Sequence, residues 1–492
     1  MLIFLNSWVV RVAPKSTREV RVDDRSWPVR FAIRWRLFTV AMISFFSSSN
    51  ALRNRAVASG FLAFLLCYGL VAAYLRSTCY RDPSSVFFQP ELARVLSYSS
   101  FRRIQARKFA DEAAEHPPPK WAGIDDPNAS PDICIAIGSV SRHGFSYLKE
   151  TVGSVLEGLG ALERQRVYLV VFLAHVNQSR HEEYDQPWLT NLADSLPTYS
   201  TVTDNPDAIR RISALEHDDS YEAHAEKQKI DYSVQLAECA KVNPTYTMTI
   251  EDDVVALDGW YHRTMSALQI AAIKTEEMGV ARDRFVYLRI FYDGRLLGWN
   301  SEEWPEYFVA SFAFVLVEAL IVFALRWRFA PARRALDPPV LLIIFGVCTP
   351  MVIGLFFAAG RSCMLPQKPG VHLMHKYGCC AQGYVFPQRQ ITENILPMYY
   401  DANDSHAAVD TFLEDWANES GGLRWAVTPV LIQHVGGKST HGVGDQEFGR
   451  LNDDMPFDYT FETNDPVQLA LQHKTALLEM IQREVAAAGP GR

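Results

Sequence analysis

Charged side chains are missing from two long stretches of this 492-residue chain. Ala56 to Leu75 and Val340 to Ala359 carry none, and Tyr307 to Leu325 carries one, Glu318. Such runs do not suit a solvated surface; each is close to the roughly 20 residues that cross a bilayer as a helix. The first run also lacks an obvious small-residue cleavage site, which argues against a secretory leader and for an uncleaved anchor. A basic excess is absent beyond the first 55 residues. Outside that tail and the segment 307–359, 34 basic residues face 51 acidic ones, within an overall net charge of −8. No basic patch offsets phosphate charge, which argues against a nucleic-acid partner. Internal repeats and low-complexity blocks are lacking too.

What is present gives the three apolar runs a direction. Ten Lys or Arg residues against three acids precede the anchor, so the positive-inside rule puts the N-terminus in the cytosol and everything after Arg76 on the far side. The second run returns, the loop bearing Arg326, Arg328, Arg333 and Arg334 sits in the cytosol, and the third run exits again. The sequons at Asn128, Asn177, Asn403 and Asn418 all fall on the lumenal side, the first weakened by the proline after it. Cys79, Cys134, Cys239, Cys363, Cys379 and Cys380 fall there as well, an even number suited to disulfides in an oxidising lumen. Adjacent Cys379 and Cys380 are expected to pair elsewhere rather than with each other. Zinc held by His372, His375 and these cysteines is the less favoured use. Cys67 and Cys348 lie inside the apolar runs. Glu318 is expected to be functional or paired, reached near one end of its helix by an Arg or by water.

Beyond the anchor, Ser84 to Ala114 reads as a helical stem and Glu115 to Pro131, with Pro117-Pro118-Pro119, as a linker. Short apolar strands are expected at Ile133–Val140, Val167–Ala174, Tyr246–Ile250 and Phe285–Tyr292, with helices over Tyr147–Leu159 and Glu222–Val242 between them. That alternation predicts an α/β fold with a mostly parallel sheet. The third strand ends at Glu251-Asp252-Asp253, and open α/β sheets bind ligands at that edge. Strand alternation sends Glu251 and Asp253 to one side and Asp252 to the other. Oxygen ligands with open positions suit Mn²⁺ or Mg²⁺ bridging a diphosphate; a solvated acidic turn is the plainer use of three acids. Downstream, Val409, Phe412, Leu413 and Trp416 mark the core face of a helix, with Asp410 and Glu414 on its flank. His434 follows strand-like Val430-Leu431-Ile432. Gly436, Gly437 and Lys438 suit either the approach of a phosphate or an ordinary turn. Trp299, Trp304, Tyr307 and Phe308 suit a membrane-interface belt or a platform for an acceptor sugar.

Together these features resemble the Golgi GPI-glycan N-acetylgalactosamine transferase family, of GT-A type. The resemblance rests on the anchor, on Gln228-Lys229-Ile230-Asp231-Tyr232, on Glu251-Asp252-Asp253, on two membrane helices inserted in the catalytic domain, and on Gln433-His434-Val435-Gly436. It covers most of residues 56 to 450. The N-acetylglucosaminyltransferase IV family is similar around the acidic and histidine motifs but has no such hairpin. The N-terminal extension with its Leu37 to Phe46 patch has no counterpart there.

The resemblance implies a GT-A-like glycosyltransferase domain in two parts, 132–306 and 360–492. They are split by helices 307–325 and 340–359 around a cytosolic loop 326–339. A basic tail 1–55, the anchor 56–75 and a stem and linker 76–131 precede them. It implies a multi-pass Golgi membrane enzyme with its catalytic domain in the lumen, moving N-acetylgalactosamine from UDP-N-acetylgalactosamine to the mannose core of membrane-held GPI anchors. Residue by residue, Asp253 becomes a direct metal ligand, and Glu251 and Asp252 would contact the ribose or metal-bound water, Glu251 also sharing the ion. His434 completes the metal or pyrophosphate site, beside Gly436 and Lys438. Asp410 is the candidate base of an inverting transfer, with Asp415 and Asp293 in reserve. Two rivals stand beside this reading, an N-acetylglucosaminyltransferase acting on N-glycans and a non-catalytic three-helix membrane assembly factor.

Overall fold

The structure, a computed structural model, describes residues 55–125, 129–142, 144–376, 378, 380–401, 407–437 and 455–488. The tail, Asn128, Cys379, Asn403 and Lys438 lie outside the described residues. In chain order, helix α1 (Arg55–Thr78) precedes α2 (Tyr98–Glu115), β1 (Ile133–Ser139), α3 (Leu148–Leu156) and β2 (Val167–Leu173). Then come α4 (Tyr221–Lys241), β3 (Tyr246–Glu251), β4 (Val254–Ala256), α5 (Trp260–Glu277) and β5 (Tyr287–Arg289). Helices α6 (Trp304–Arg328) and α7 (Pro338–Ala358) interrupt the domain. After them follow β6 (Gly370–Leu373), β7 (Gly383–Pro387), α8 (Val409–Ser420), β8 (Arg424–Thr428), β9 (Ile432–His434) and α9 (Pro466–Ala488).

The chain divides into two compact units, and the described part of the first comprises residues 55–71 and 313–352. Helices α1, α6 and α7, which reach into this unit, are long and apolar enough to cross a membrane. Asp337 caps α7 by accepting from the Val340 N–H, and Pro338 fills its first turn, where no backbone donor is needed. Val57 and Phe61 pack against Ile343 and Val347. Glu318 is paired, one of the two outcomes expected of it. Thr349 Oγ1 donates to its Oε2 at 2.7 Å, because a π-helical turn at Ile344–Cys348 sets Thr349 opposite it.

The second unit, residues 72–312 and 353–488 as described, is a mixed α/β domain. Its main sheet has seven strands in the order β2-β1-β3-β7-β5-β8-β6, and β4 pairs with β9 in a separate ladder. Strands β2, β1, β3, β5 and β8 run one way, and β7 and β6 run against them. The expected mostly parallel sheet is thus present. Every residue of β2, Val-Tyr-Leu-Val-Val-Phe-Leu, is buried, the pattern of a strand covered on both faces. Burying each of its Val and Leu side chains contributes about 1.5–3 kcal/mol. Disulfides form as expected, two of them with both partners among the described residues: Cys134–Cys239 ties β1 to α4, and Cys79–Cys363 joins the segments that follow α1 and α7.

Several expectations need correction. The stem is helical only over Tyr98–Glu115 and a short turn at Pro90–Ala93, since Pro83 and Pro90 interrupt the backbone bonding before it. Arg102 of α2 is buried against the domain, donating to the carbonyls of Ala256 and Ser154 at 3.0 Å. The strand expected over Phe285–Tyr292 shortens to β5, although Ile290 still bonds to Gly383 of β7 and to Leu431. Trp299 is not an open platform. Its indole packs on Tyr307, Phe356 and Phe357 and donates to the Phe357 carbonyl at 2.9 Å.

Candidate functional site

Two ladder neighbours, parallel β1 and antiparallel β7, meet at the end of β3. Glu251, its last residue, pairs with Gly138 of β1, and its N–H bonds to the Gln382 carbonyl just before β7. The chain then turns into β4, where Val254 pairs with His434 of β9, and the Val435 N–H donates to the Asp253 carbonyl at 2.9 Å. The small β4–β9 ladder therefore carries His434 to the acidic motif across some 180 residues of sequence. His434 lies within strand β9 rather than after it.

Ligand atoms of Glu251, Asp253 and His434 all lie within 4.8 Å of one another. His434 Nε2 stands 3.4 Å from Asp253 Oδ2, and Gln382 Nε2 donates to Glu251 Oε2 at 2.9 Å. Burial pushes the Glu251 carboxyl up to about 8, and the charge of Asp253 adds to the push. Burial also opposes ionisation of Asp253, but the His434 imidazole and the Arg142 guanidinium hold its carboxyl down at about 2. Against its own burial, His434 is raised by Asp253 and then Glu251. Protons thus occupy positions that a divalent cation can take over. Asp253 Oδ1 and His434 Nδ1 are buried without a hydrogen-bond partner among the described residues, so the group has coordinating capacity to spare. Two carboxylates and an imidazole fit Mn²⁺ or a similar ion.

Asp252 stands in the turn after β3 and is not one of the three grouped ligand residues. Arg142 grips it with two bonds of 2.7 Å and reaches Asp253 Oδ2 at 3.4 Å. Ser139 also donates to Asp252. Burial keeps His181 neutral, and its Nδ1 accepts from the Glu183 N–H, so its Nε2 carries the proton and donates to Ser139 Oγ at 2.9 Å. Asp252 is therefore an anchoring carboxylate with both oxygens engaged. Gly436 makes room for the Asp253 carboxylate: a Cβ there would stand 2.2 Å from Asp253 Oδ2.

Asp410 lies in the first turn of α8. Its Oδ2 accepts from the Cys380 N–H at 3.2 Å, and its Oδ1 from the Thr411 N–H at 2.7 Å. Gln228, from the motif that preceded β3, accepts the Val409 N–H at 3.2 Å and helps seat that turn. The segment 380–382 thus touches Asp410 at one end and Glu251 at the other, and the charge of Asp410 is felt at Glu251. Asp415 and Asp293 are not brought to this cluster. Asp415 is exposed on α8, while Asp293 is buried capping the turn at Gly294–Leu297 and paired with Arg295 at 2.6 Å. Glu414 is a buried partner of Arg289 and Arg424. The zinc reading of His372 and His375 does not hold: His372 bonds the Lys368 carbonyl, His375 faces Glu303, and Cys380 is disulfide-bonded. The expectation for Cys379 lies outside the described residues.

Arg142, Ser139 and Gln382 were not foreseen. Their signal is positional, since Ser139 and Arg142 end and follow β1, and the site forms where β1 and β3 run out side by side. Only the strand order reveals that adjacency.

Curated proteins give no significant match. The family model of GPI-N-acetylgalactosamine transferase PGAP4 matches residues 133–433, from the first residue of β1 to the residue before His434, with α6 and α7 inside the match. This match covers more than half of the chain. The chain belongs to the GPI-N-acetylgalactosamine transferase PGAP4 family and is thereby a glycosyltransferase.

Proposed function

We propose that the protein is a Golgi, metal-dependent transferase of GT-A type that moves N-acetylgalactosamine from UDP-N-acetylgalactosamine to the mannose core of GPI anchors. One observation carries the proposal: Glu251, Asp253 and His434 meet at the carboxyl end of β3, inside and at the border of the matched segment. When bound there, a divalent ion neutralises the diphosphate of the leaving nucleotide. Arg142, fixed by Asp252, balances the acids and keeps Asp253 ionised. Gln382 orients Glu251. Asp410, an acceptor of two backbone N–H groups, takes the proton from the acceptor hydroxyl as that oxygen attacks the anomeric carbon with inversion.

The helices between β5 and β6 tie the catalytic chain to the bilayer that holds a lipid-linked acceptor. Holding donor site and acceptor in one membrane reduces the entropic part of the barrier. Profiling UDP-sugars against a GPI acceptor with the purified protein tests the reading. Transfer of N-acetylgalactosamine is expected to dominate. Preferred transfer of N-acetylglucosamine to soluble N-glycans would replace it with the rival enzyme reading, and absence of any donor-dependent UDP release would favour an assembly factor.

A further inference from the structure

A second cluster of ligating groups lies away from β3, where the C-terminal helix meets the domain. Glu163 comes from the turn Ala161–Arg164 before β2, His262 from the first turn of α5, and His473 from α9. His473 stands beyond the segment matched by the family, and the other two stand within it. Ligand atoms of the three lie within 4.8 Å of one another. Glu163 and His473 are buried, 1% and 6% exposed, and His262 is partly open. His473 Nε2 is 2.9 Å from Glu163 Oε2, and its Nδ1 is 2.5 Å from Asp258 Oδ1. The His262 ring stacks on that of His473 at 5.6 Å, and its Nδ1 is buried with no hydrogen-bond partner among the described residues.

We propose that Glu163, His262 and His473 form a Zn²⁺ site, with Asp258 orienting His473, that fastens α9 to the domain. Two imidazoles and a carboxylate are a zinc donor set, and a carboxylate on the far nitrogen of a ligating histidine fixes its tautomer and raises its basicity. Zinc bonds of about 2.0–2.1 Å in tetrahedral geometry put neighbouring ligand atoms about 3.3 Å apart. The His473–Glu163 separation thus has to open by only a few tenths of an ångström. The approach is kept clear by glycine. At Gly259, φ +73°, a Cβ would stand 2.5 Å from His262 Cε1 and 3.1 Å from His473 Cβ. At Gly158, φ +87°, it would stand 3.3 Å from Asp258 Oδ1. His262, partly open, gives an ion its way in, and its Nδ1, unpartnered among the described residues, is available to a metal.

The test uses the full-length protein, purified without a polyhistidine tag, carrying Asp253→Ala so that the cluster at β3 is disabled. After dialysis against Zn²⁺, one equivalent of tightly held zinc is expected by elemental analysis. Added Zn²⁺ should raise Tm, and Co²⁺ in its place should give the visible bands of tetrahedral coordination. His262→Asn in this background leaves the Asp258–His473–Glu163 chain in place and should abolish the zinc, the Tm shift and the Co²⁺ bands. Asp258→Asn should weaken zinc binding about 10–100-fold. Absence of zinc in the Asp253→Ala protein, or undiminished zinc in the His262→Asn protein, would overturn the proposal and leave His473 as an ion-pair partner of two carboxylates.

Discussion

At the scale of single residues, Asp410 is the carboxylate whose surroundings best fit a base. It is fixed by two backbone donors and partly exposed, and it is linked through segment 380–382 to Glu251. Asp410→Asn keeps the shape and removes the basicity, so kcat should fall by about 10²–10⁴-fold with the donor KM little changed. Steady-state kinetics will show this, and a kcat within a few-fold of wild type would assign the base elsewhere. Asp458, whose N–H donates to Gln433 beside His434, gives a pH dependence. Burial pushes its carboxyl up to about 6. A raised folded pKa means that its contribution is fully present below the unfolded value of about 3.9 and is lost as pH rises through about 6. Asp458→Asn should therefore gain stability relative to wild type between pH 4 and pH 7, on the order of 3 kcal/mol, in denaturant melts at each pH. The grouping of Glu251 with Asp253 was legible because the two are close in sequence, at the end of β3 and in the turn after it. Arg142 and Gln382 were not, because their meeting with the acids depends on which strands are neighbours.

At the scale of elements, the β4–β9 ladder is the device that assembles the site. It sets His434 opposite Val254, and Gly436 lets the following backbone pass Asp253. Gly436→Ala places a methyl where the Asp253 carboxylate lies, so Mn²⁺ binding measured by titration calorimetry should weaken about tenfold or more. Unchanged affinity would mean that Asp253 is not a ligand. The long buried strands β1, β2 and β3 were readable as apolar, β-branched runs. Strands β6, β7, β8 and β9 are three to five residues long, too short to carry a pattern, and their pairing comes from partners distant in sequence. The helix α8 was readable from its core face, with Val409 and Leu413 fully buried. The stem was misread because helix propensity in 84–97 yields to Pro83 before it and Pro90 within it.

At the scale of the whole molecule, a family match that runs through α6 and α7 makes the two apolar helices part of one catalytic chain. Replacing 307–359 by a short linker should leave UDP release to water or soluble acceptor sugar measurable while sharply reducing transfer to a GPI acceptor in vesicles. Equal loss of both would mean that the helices serve folding alone. The three runs were legible because charge depletion over about 20 residues is a strong signal, whereas the partner of Glu318 rested on a π-helical turn that no pattern announces. The central claim is that Glu251, Asp253 and His434 hold the ion on which sugar transfer depends. Its most direct test measures N-acetylgalactosamine transfer from UDP-N-acetylgalactosamine to a GPI acceptor. Purified wild type and the Glu251→Ala, Asp252→Ala, Asp253→Ala triple variant are each assayed in EDTA and after Mn²⁺ is restored. Transfer by wild type only with Mn²⁺, and none by a variant that is expressed and folded, is the predicted result. Transfer in EDTA, or activity retained by the variant, would contradict it.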